Sequence, residues 1–339
     1  MKSSKHISLS HGSGGIESNE LIEGLFYEIL GDFVLDAGED AGLFHSAYPL
    51  GVSTDSYVVS PLFFPGGDIG KLCVCGSSND VAMRGAKPKY ISLAFILEEG
   101  MNIGDLKRIL QSIAIQLRLG DLKILTGDTK VVPKGHVDKI YINTTAIGEI
   151  KTPIIPSAKH LQEDDAIIVS APVGTHGAVI FCSRNEIALE SELQSDCAQL
   201  YPMIEPILNQ ALEIHAMRDA TRGGLAAVLN EWARVCRREI IVQENLVSIL
   251  PQVRGVCEIL GLEALSLANE GVCVLSVPQK QAKEVLSKLQ FHPLGQEAQI
   301  IGRVGRQVEI QQARVIIKNA WGSERYLEYP QGELLPRIC

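Results

Sequence analysis

The chain has 339 residues, of which 46% are hydrophobic and 21% charged, a balance that supports buried cores and excludes disordered and fibrous classes. At roughly 150 residues per domain, about two domains are expected. Lys plus Arg number 31 against 40 Asp plus Glu, a formal charge of −9, which argues against nucleic acid or an anionic membrane as partner and means that nucleotide handling requires bridging metal ions.

The 8 cysteines are read as reduced thiols, because a chain this long does not need disulfide staples. No apolar leader segment follows Met1 and no apolar run approaches a membrane span, so a cytoplasmic location is expected. Cys339 is not a prenylation site, since proline rather than cysteine stands fourth from the end.

In chain order, the Gly-rich segment His11-Gly12-Ser13-Gly14-Gly15 precedes an apolar stripe at helical spacing over 16–30. Residues 49–60 read as a strand, and 61–67 as a turn. Helical spacing covers 68–85 and 102–119 with a strand at 90–97 between them, and 122–132 and 139–149 look like a further strand pair. Residues 151–159 are the expected linker. Beyond it, strands are predicted at 166–170, 239–243, 272–277, 298–304 and 313–318, and helices at 186–193, 199–213, 221–236, 252–260 and 279–290. The irregular alternation favours a mixed α+β fold over a doubly wound sheet. The resulting division is 1–150, 151–326 and an extended tail over 327–339.

Several nucleotide motifs are absent. Residues 66–72 resemble a P-loop, but the spacing is one residue short and Leu72 replaces the required Ser or Thr. No G-x-G-x-x-G opens a helix after a strand, and Cys73 and Cys75 have no second pair at zinc spacing. What remains is a set of acids in loops and at strand ends: Asp40, Asp55, Asp80, Asp128 and Asp219. Each alone reads as a cap or turn residue. Together they suit Mg²⁺, a hard ion that takes oxygen ligands and keeps waters for phosphate oxygens. Backbone N–H groups at Gly12, Ser13, Gly14 and Gly15, and at Gly223 and Gly224, are candidate phosphate cradles.

Seven segments carry a resemblance: 11–15, Ser53-Thr54-Asp55-Ser56-Tyr57 with the following 61–67, Asn79-Asp80, Gly127-Asp128-Thr129-Lys130-Val131-Val132, 218–224, Asn269-Glu270-Gly271 and the terminal Pro336-Arg337-Ile338-Cys339. The chain resembles, end to end, the HypE family of nickel–iron hydrogenase maturation factors. These share an aspartate framework with aminoimidazole ribonucleotide synthetase, selenophosphate synthetase and thiamine-monophosphate kinase. The resemblance implies a two-domain synthetase-like fold, a homodimer around a shared β-barrel formed by the N-terminal domains, and ATP held between the domains. It implies partners, the carbamoyltransferase HypF and a HypC–HypD scaffold. It also implies an activity, the ATP-dependent dehydration of a carbamoyl group on the terminal thiol to a thiocyanate, the source of cyanide for the hydrogenase iron.

Carried over by position, Cys339 is the modified thiol and Lys130 and Glu270 are candidate bases beside it. Asp55, Asp80, Asp128 and Asp219, with Asp40, are the metal set. Gly12, Ser13, Gly14, Gly15, Asn79, Thr129, Arg222, Gly223 and Gly224 are the nucleotide contacts. Two other readings remain open: an enzyme that activates a free small molecule with ATP, and a nucleotide-sensing scaffold without chemistry.

Overall fold

The computed structural model describes residues 5–339 except 14, 36–40, 42, 186, 188–192, 211 and 332–336. The first half opens with a short helix α1 (Ile16–Leu21), a π-helical stretch (Ile22–Tyr27) and a last turn α2 (Glu28–Leu30). Strand β1 (Leu50–Tyr57) and a two-residue hairpin, β2 (Phe63–Phe64) and β3 (Gly67–Asp68), lead into helix α3 (Ile69–Met83). Strand β4 (Ala86–Glu98), helix α4 (Ile103–Gly120), β5 (Lys123–Val132) and β6 (Ile140–Ile150) complete this half.

Both helices start on side-chain caps that satisfy free N–H groups. Asp68 Oδ1 accepts from Lys71 N at 2.9 Å and Asn102 Oδ1 from Gly104 N at 2.7 Å. The sheet order is β1-β6-β4-β5, antiparallel except for the parallel β4–β5 pair. Helix α4 is the crossover that makes β5 parallel to β4. The expected pair 122–132 and 139–149 is therefore two strands flanking β4, not each other. Helix α3 covers one sheet face at close range: a Cβ at Gly76 would stand 2.3 Å from the Tyr57 hydroxyl.

The second half contains β7 (Ala166–Val169), α5 (Thr175–Arg184), α6 (Tyr201–Asn209), β8 (Ala216–Asp219), α7 (Gly224–Cys236), β9 (Arg238–Gln243), α8 (Pro251–Leu260), β10 (Cys273–Val277), α9 (Ala282–Phe291), β11 (Gln299–Gln307), β12 (Val315–Lys318) and β13 (Glu324–Leu327). They build a seven-stranded sheet ordered β13-β12-β9-β11-β7-β10-β8. One core, around Trp232, Leu229 and Val274, lies between α7 and the sheet, and another, with Met203, Ile204 and Leu289, packs α6 and α9 on it. The largest cluster joins α3, α4, α5 and α8 with Ile338, so it ties the two halves together.

Three elements were not anticipated, α5, β8 and β13, and helix 221–236 begins only at Gly224. The helix expected at 186–193 falls largely outside the described residues. The tail also differs from the extended chain expected. Leu327 ends β13 as a sheet residue, Asn230 Nδ2 donates to its carbonyl at 3.0 Å, and Tyr329 Oη donates to Glu231 at 3.0 Å. Ile338 is 4% exposed. An apolar side chain has more to gain in a core slot than in water, and here the slot exists.

Candidate active site

Four acids converge where the two halves meet. Asp55 stands near the end of β1, Asp80 in the last turn of α3 and Asp219 at the end of β8. Glu270 precedes β10 in a segment fixed by Asp196, whose Oδ2 accepts from Glu270 N at 3.0 Å and Gly271 N at 2.9 Å. Gly271 is obligatory there, since a Cβ would stand 1.8 Å from the Asp196 carbonyl oxygen. All four acids line one cavity of about 590 Å³ together with Arg222 and Cys339.

Crowding negative groups under partial burial disfavours their ionised forms. Burial pushes Asp55 up to about 7, helped by its hydrogen bond to and the charge of Asp80, with Arg222 opposing. Burial and the Asp80 charge push Asp219 up to about 8. Burial, then Cys197, Asp219 and Asp196, raises Glu270 well above the usual carboxylate range. Asp219 Oδ2 and Glu270 Oε1 are buried without a hydrogen-bond partner.

The chain's own end enters this cavity. Val58 N donates to the Cys339 oxygen at 3.0 Å and Ser60 N to the Arg337 oxygen at 3.3 Å, so residues 337–339 dock against the segment that follows β1. Arg337 Nε donates to Val58 O at 2.8 Å, and its guanidinium pairs with Asp138 at 2.9 Å. The Cys339 thiol is pushed up to about 12, chiefly by burial and then by Glu270, with Arg222 opposing. The cation that opposes this rise is Arg222.

Other expected residues lie elsewhere. Asp128, Thr129, Lys130 and Gly12 line a second cavity of about 410 Å³. Register explains the separation: Asp55 pairs with Thr144, Thr144 with Leu93 and Leu93 with Gly127, so Asp128 is one residue out of that row. One residue in a strand flips the face, and three strand spacings add about 14 Å. Lys130 Nζ contacts Asp128 Oδ1 at 2.5 Å as an exposed pair, so within one chain Lys130 is not beside Cys339.

Asn79 is also spent on structure. Its Nδ2 donates to Ala198 O at 2.9 Å and its Oδ1 accepts from Leu200 N at 2.8 Å, leaving no polar end for phosphate. Gly223 (φ 77°) and Gly224 (φ 57°) turn the chain into α7, and a Cβ on Gly224 would stand 2.4 Å from Leu267 O. Arg222, not these glycines, faces the cavity. Gly15 caps α1 and Ser13 Oγ donates to Ser10 O at 2.8 Å. Asp40 and Gly14 lie outside the described residues.

Residues missed from sequence are Tyr57, Thr221 and Arg218, which line the acid cavity, and His176 and Arg184, which touch the tail. Tyr57 and Thr221 stand inside recognised segments. Nothing in local sequence marks His176 or Arg184.

Asp55, Asp80 and Asp219 fit a hard divalent cation. Their mutual repulsion and the orphaned Asp219 oxygen are relieved by positive charge. Among the described residues no group of three or more His, Cys, Asp or Glu side chains stands as a preformed metal site.

The fold and site recur in known proteins. The N-terminal domain model of AIR synthase related proteins matches residues 38–150 and the C-terminal domain model matches 162–311, which defines the class. The carbamoyl dehydratase HypE of Escherichia coli K12 is 45% identical over 340 residues, covering 98% of this chain and 99% of the relative. That of Bradyrhizobium diazoefficiens is 42% identical over 335 residues, covering 98% and 96%. A solved hydrogenase maturation protein HypE in complex with ATP superposes with a TM-score of 0.92 at 41% identity, covering 98% and 99% of the two chains. HypE in a HypE–HypF complex gives 0.80 at 39% identity, covering 91% and 99%. The chain belongs to the HypE family of carbamoyl dehydratases.

Proposed function

We propose that the chain uses ATP to dehydrate a carboxamide carried on its own Cys339 sulfur to a thiocyanate, which supplies cyanide for the iron of a nickel–iron hydrogenase. The observation that carries this reading is the terminal thiol held inside a cavity of four acids, two of them with unpartnered oxygens.

The chemistry demands such a site. A carboxamide oxygen leaves poorly, so it must first bond to phosphorus and depart as phosphate, while nitrogen loses both protons and the carbon–nitrogen triple bond forms. ATP supplies the γ-phosphoryl group and becomes ADP. Asp55, Asp80 and Asp219 would hold Mg²⁺, which neutralises the phosphates when bound. Arg222 faces the same cavity and adds positive charge. Glu270 is the candidate proton acceptor, because it lines the same cavity as the Cys339 thiol.

Lys130 and Asp128 join the reading through a second copy of the chain. The sheet face opposite α3 exposes Val52 (61%) and Ile96 (39%), and β1 and β5 are its two edge strands. Two such sheets closing into a shared barrel cover that face, remove both edges and offer each acid cavity the partner's β5. Residues 1–150 then form the dimerising domain and 151–326 the second domain. Residues 331–339 reach about 30 Å when extended, enough for Cys339 to leave its cavity and meet HypF, with a HypC–HypD scaffold as cyanide acceptor. Among the described residues no helix is long and apolar enough to cross a membrane, in keeping with work in the cytoplasm.

Intact mass spectrometry tests the reading. With HypF, carbamoyl phosphate and ATP, the chain gains one carbamoyl mass and then loses one water. Carbamoylation without water loss, in the presence of Mg²⁺ and ATP, overturns the dehydratase reading.

A further inference from the structure

The contacts that hold the tail tip come from two different places, and only one of them is strand-like. On one side, residues 58 and 60 pair with the tail through backbone N–H groups. On the other side stands α5, a helix of the second half. Its His176 Nε2 donates to the Ile338 carbonyl at 2.9 Å, and its Arg184 Nη2 donates to the Arg337 carbonyl at 2.9 Å and to Ser60 O at 2.8 Å. The tip is thus clamped between the halves by donors aimed at two consecutive tail carbonyls, with Ile338 in the core beneath them.

The orientation of His176 is fixed by its neighbours. Cys197 N donates to Ser195 Oγ at 3.1 Å, which directs the Ser195 hydroxyl proton to His176 Nδ1 at 2.8 Å, so the ring proton sits on Nε2 and points at the tail. Phe64 holds the ring edge-on at 5.4 Å. A neutral donor fits a buried carbonyl, because a charged ring would be left unpaired once the tail departs.

We propose that His176 and Arg184 are positioning residues that form a latch on the docked tail, one that sets Cys339 for dehydration and must open before the thiol can be loaded. The latch reads the backbone of residues 337 and 338, and the Ile338 slot supplies the side-chain specificity. Loading and dehydration therefore place opposite demands on one set of contacts. Weakening the latch exposes Cys339 and helps the first step, and it costs the second step its geometry. The sign of these two effects rests on the activity proposed above, whereas the docking itself does not.

The test pairs a binding readout with both chemical steps in full-length chains. Cys339 exposure is measured as the rate of alkylation by iodoacetamide, followed by intact mass, with Cys339→Ala as the background for the other thiols. Arg184→Gln removes a charged donor from inside the fold, and Ile338→Ala removes the anchor from the tail, where it cannot unfold the body. Loss of a charged hydrogen bond corresponds to about a tenfold faster alkylation. Both variants are expected to alkylate faster, to accept the carbamoyl group from HypF at least as fast as the parent, and to convert it more slowly. Unchanged alkylation in both variants overturns the latch, and so does a fall in loading and conversion together in both. If the parent takes up no carbamoyl mass while Arg184→Gln and Ile338→Ala still alkylate faster, the latch stands and the proposed activity falls.

Discussion

Val58 N donates to the terminal oxygen of Cys339 at 3.0 Å, which fixes the last residue of the chain to the residue immediately after β1. Asp55 lies three positions earlier on the same chain segment, so the strand that carries a cavity carboxylate also carries the docking edge for the thiol. Removing residues 337–339 is therefore expected to lower stability by about 1–2 kcal/mol, the Ile338 burial less the entropy regained by the tail. Cys339→Ala is expected to cost less than about 1 kcal/mol. Denaturant melts of both variants check this, and equal stability for truncated and full-length chains contradicts the docked tail.

Asp219→Asn removes a buried carboxylate whose charge Arg218 offsets only in part. Folded stability is expected to stay level or rise, while Mg²⁺-dependent ATP turnover loses a few kcal/mol of transition-state stabilisation. Asp80→Asn should lose turnover similarly, and it also disturbs the acceptor of Ser53 Oγ at 2.6 Å. Turnover equal to the parent in both variants removes these residues from the metal set.

The raised carboxylates predict a direction with pH. Asp55 rises from 3.8 to about 7 and Asp219 from 3.8 to about 8, so across this window the folded chain holds protons that the unfolded chain has lost. Their contribution to stability then falls as pH rises. The melting temperature of Asp219→Asn minus that of the parent, measured without metal, should grow from pH 5 toward about pH 8, and Mg²⁺ should stabilise the parent more at the upper end. A difference that stays flat across this range counts against the charge repulsion argued here.

Lys130→Ala breaks only an exposed pair and should change stability by less than about 0.5 kcal/mol. Its effect on turnover tests the dimer. If each site combines Glu270 of one chain with Lys130 of the other, mixing Lys130→Ala with Glu270→Gln chains restores about a quarter of parent activity, since half the dimers are mixed and each has one intact site. No recovery on mixing, with subunit exchange verified, places both residues in one chain's site or excludes one of them.

Legibility in the sequence followed periodicity. Helix α4 showed its apolar stripe because one face is buried and the other wet. Helix α5 did not: residues 175–180 are buried all round, and Gly177 leaves room only for Leu267 and Ala268, so no stripe exists to read. With α5 went His176 and Arg184. Strand β8 is four residues long, too short for alternation to register. Among candidate site residues, Asp55, Asp80 and Asp219 were legible as acids in loops and at strand ends and Glu270 only by resemblance, yet spacing could not say that Asp128 faces the other side of the sheet. That depends on the β4–β5 register, a long-range property. The engagement of Asn79 is hidden from local sequence for a similar reason, because its partners at 198 and 200 are distant along the chain. The last residues read as an extended tail, and only the folded core reveals the slot that Ile338 fills.

In the proposed reaction the oxygen of a carboxamide on Cys339 leaves as phosphate oxygen. The most direct measurement loads the chain with carbamoyl groups labelled with heavy oxygen at the carbonyl, adds ATP and Mg²⁺, and follows the isotope in the phosphate released. Phosphate is expected to carry the label in proportion to thiocyanate formed, and Cys339→Ala, which takes up no carbamoyl group, to release none. Label recovered in water or bicarbonate, with unlabelled phosphate, would mean that ATP hydrolysis and loss of the carbamoyl oxygen are separate events and would contradict the account.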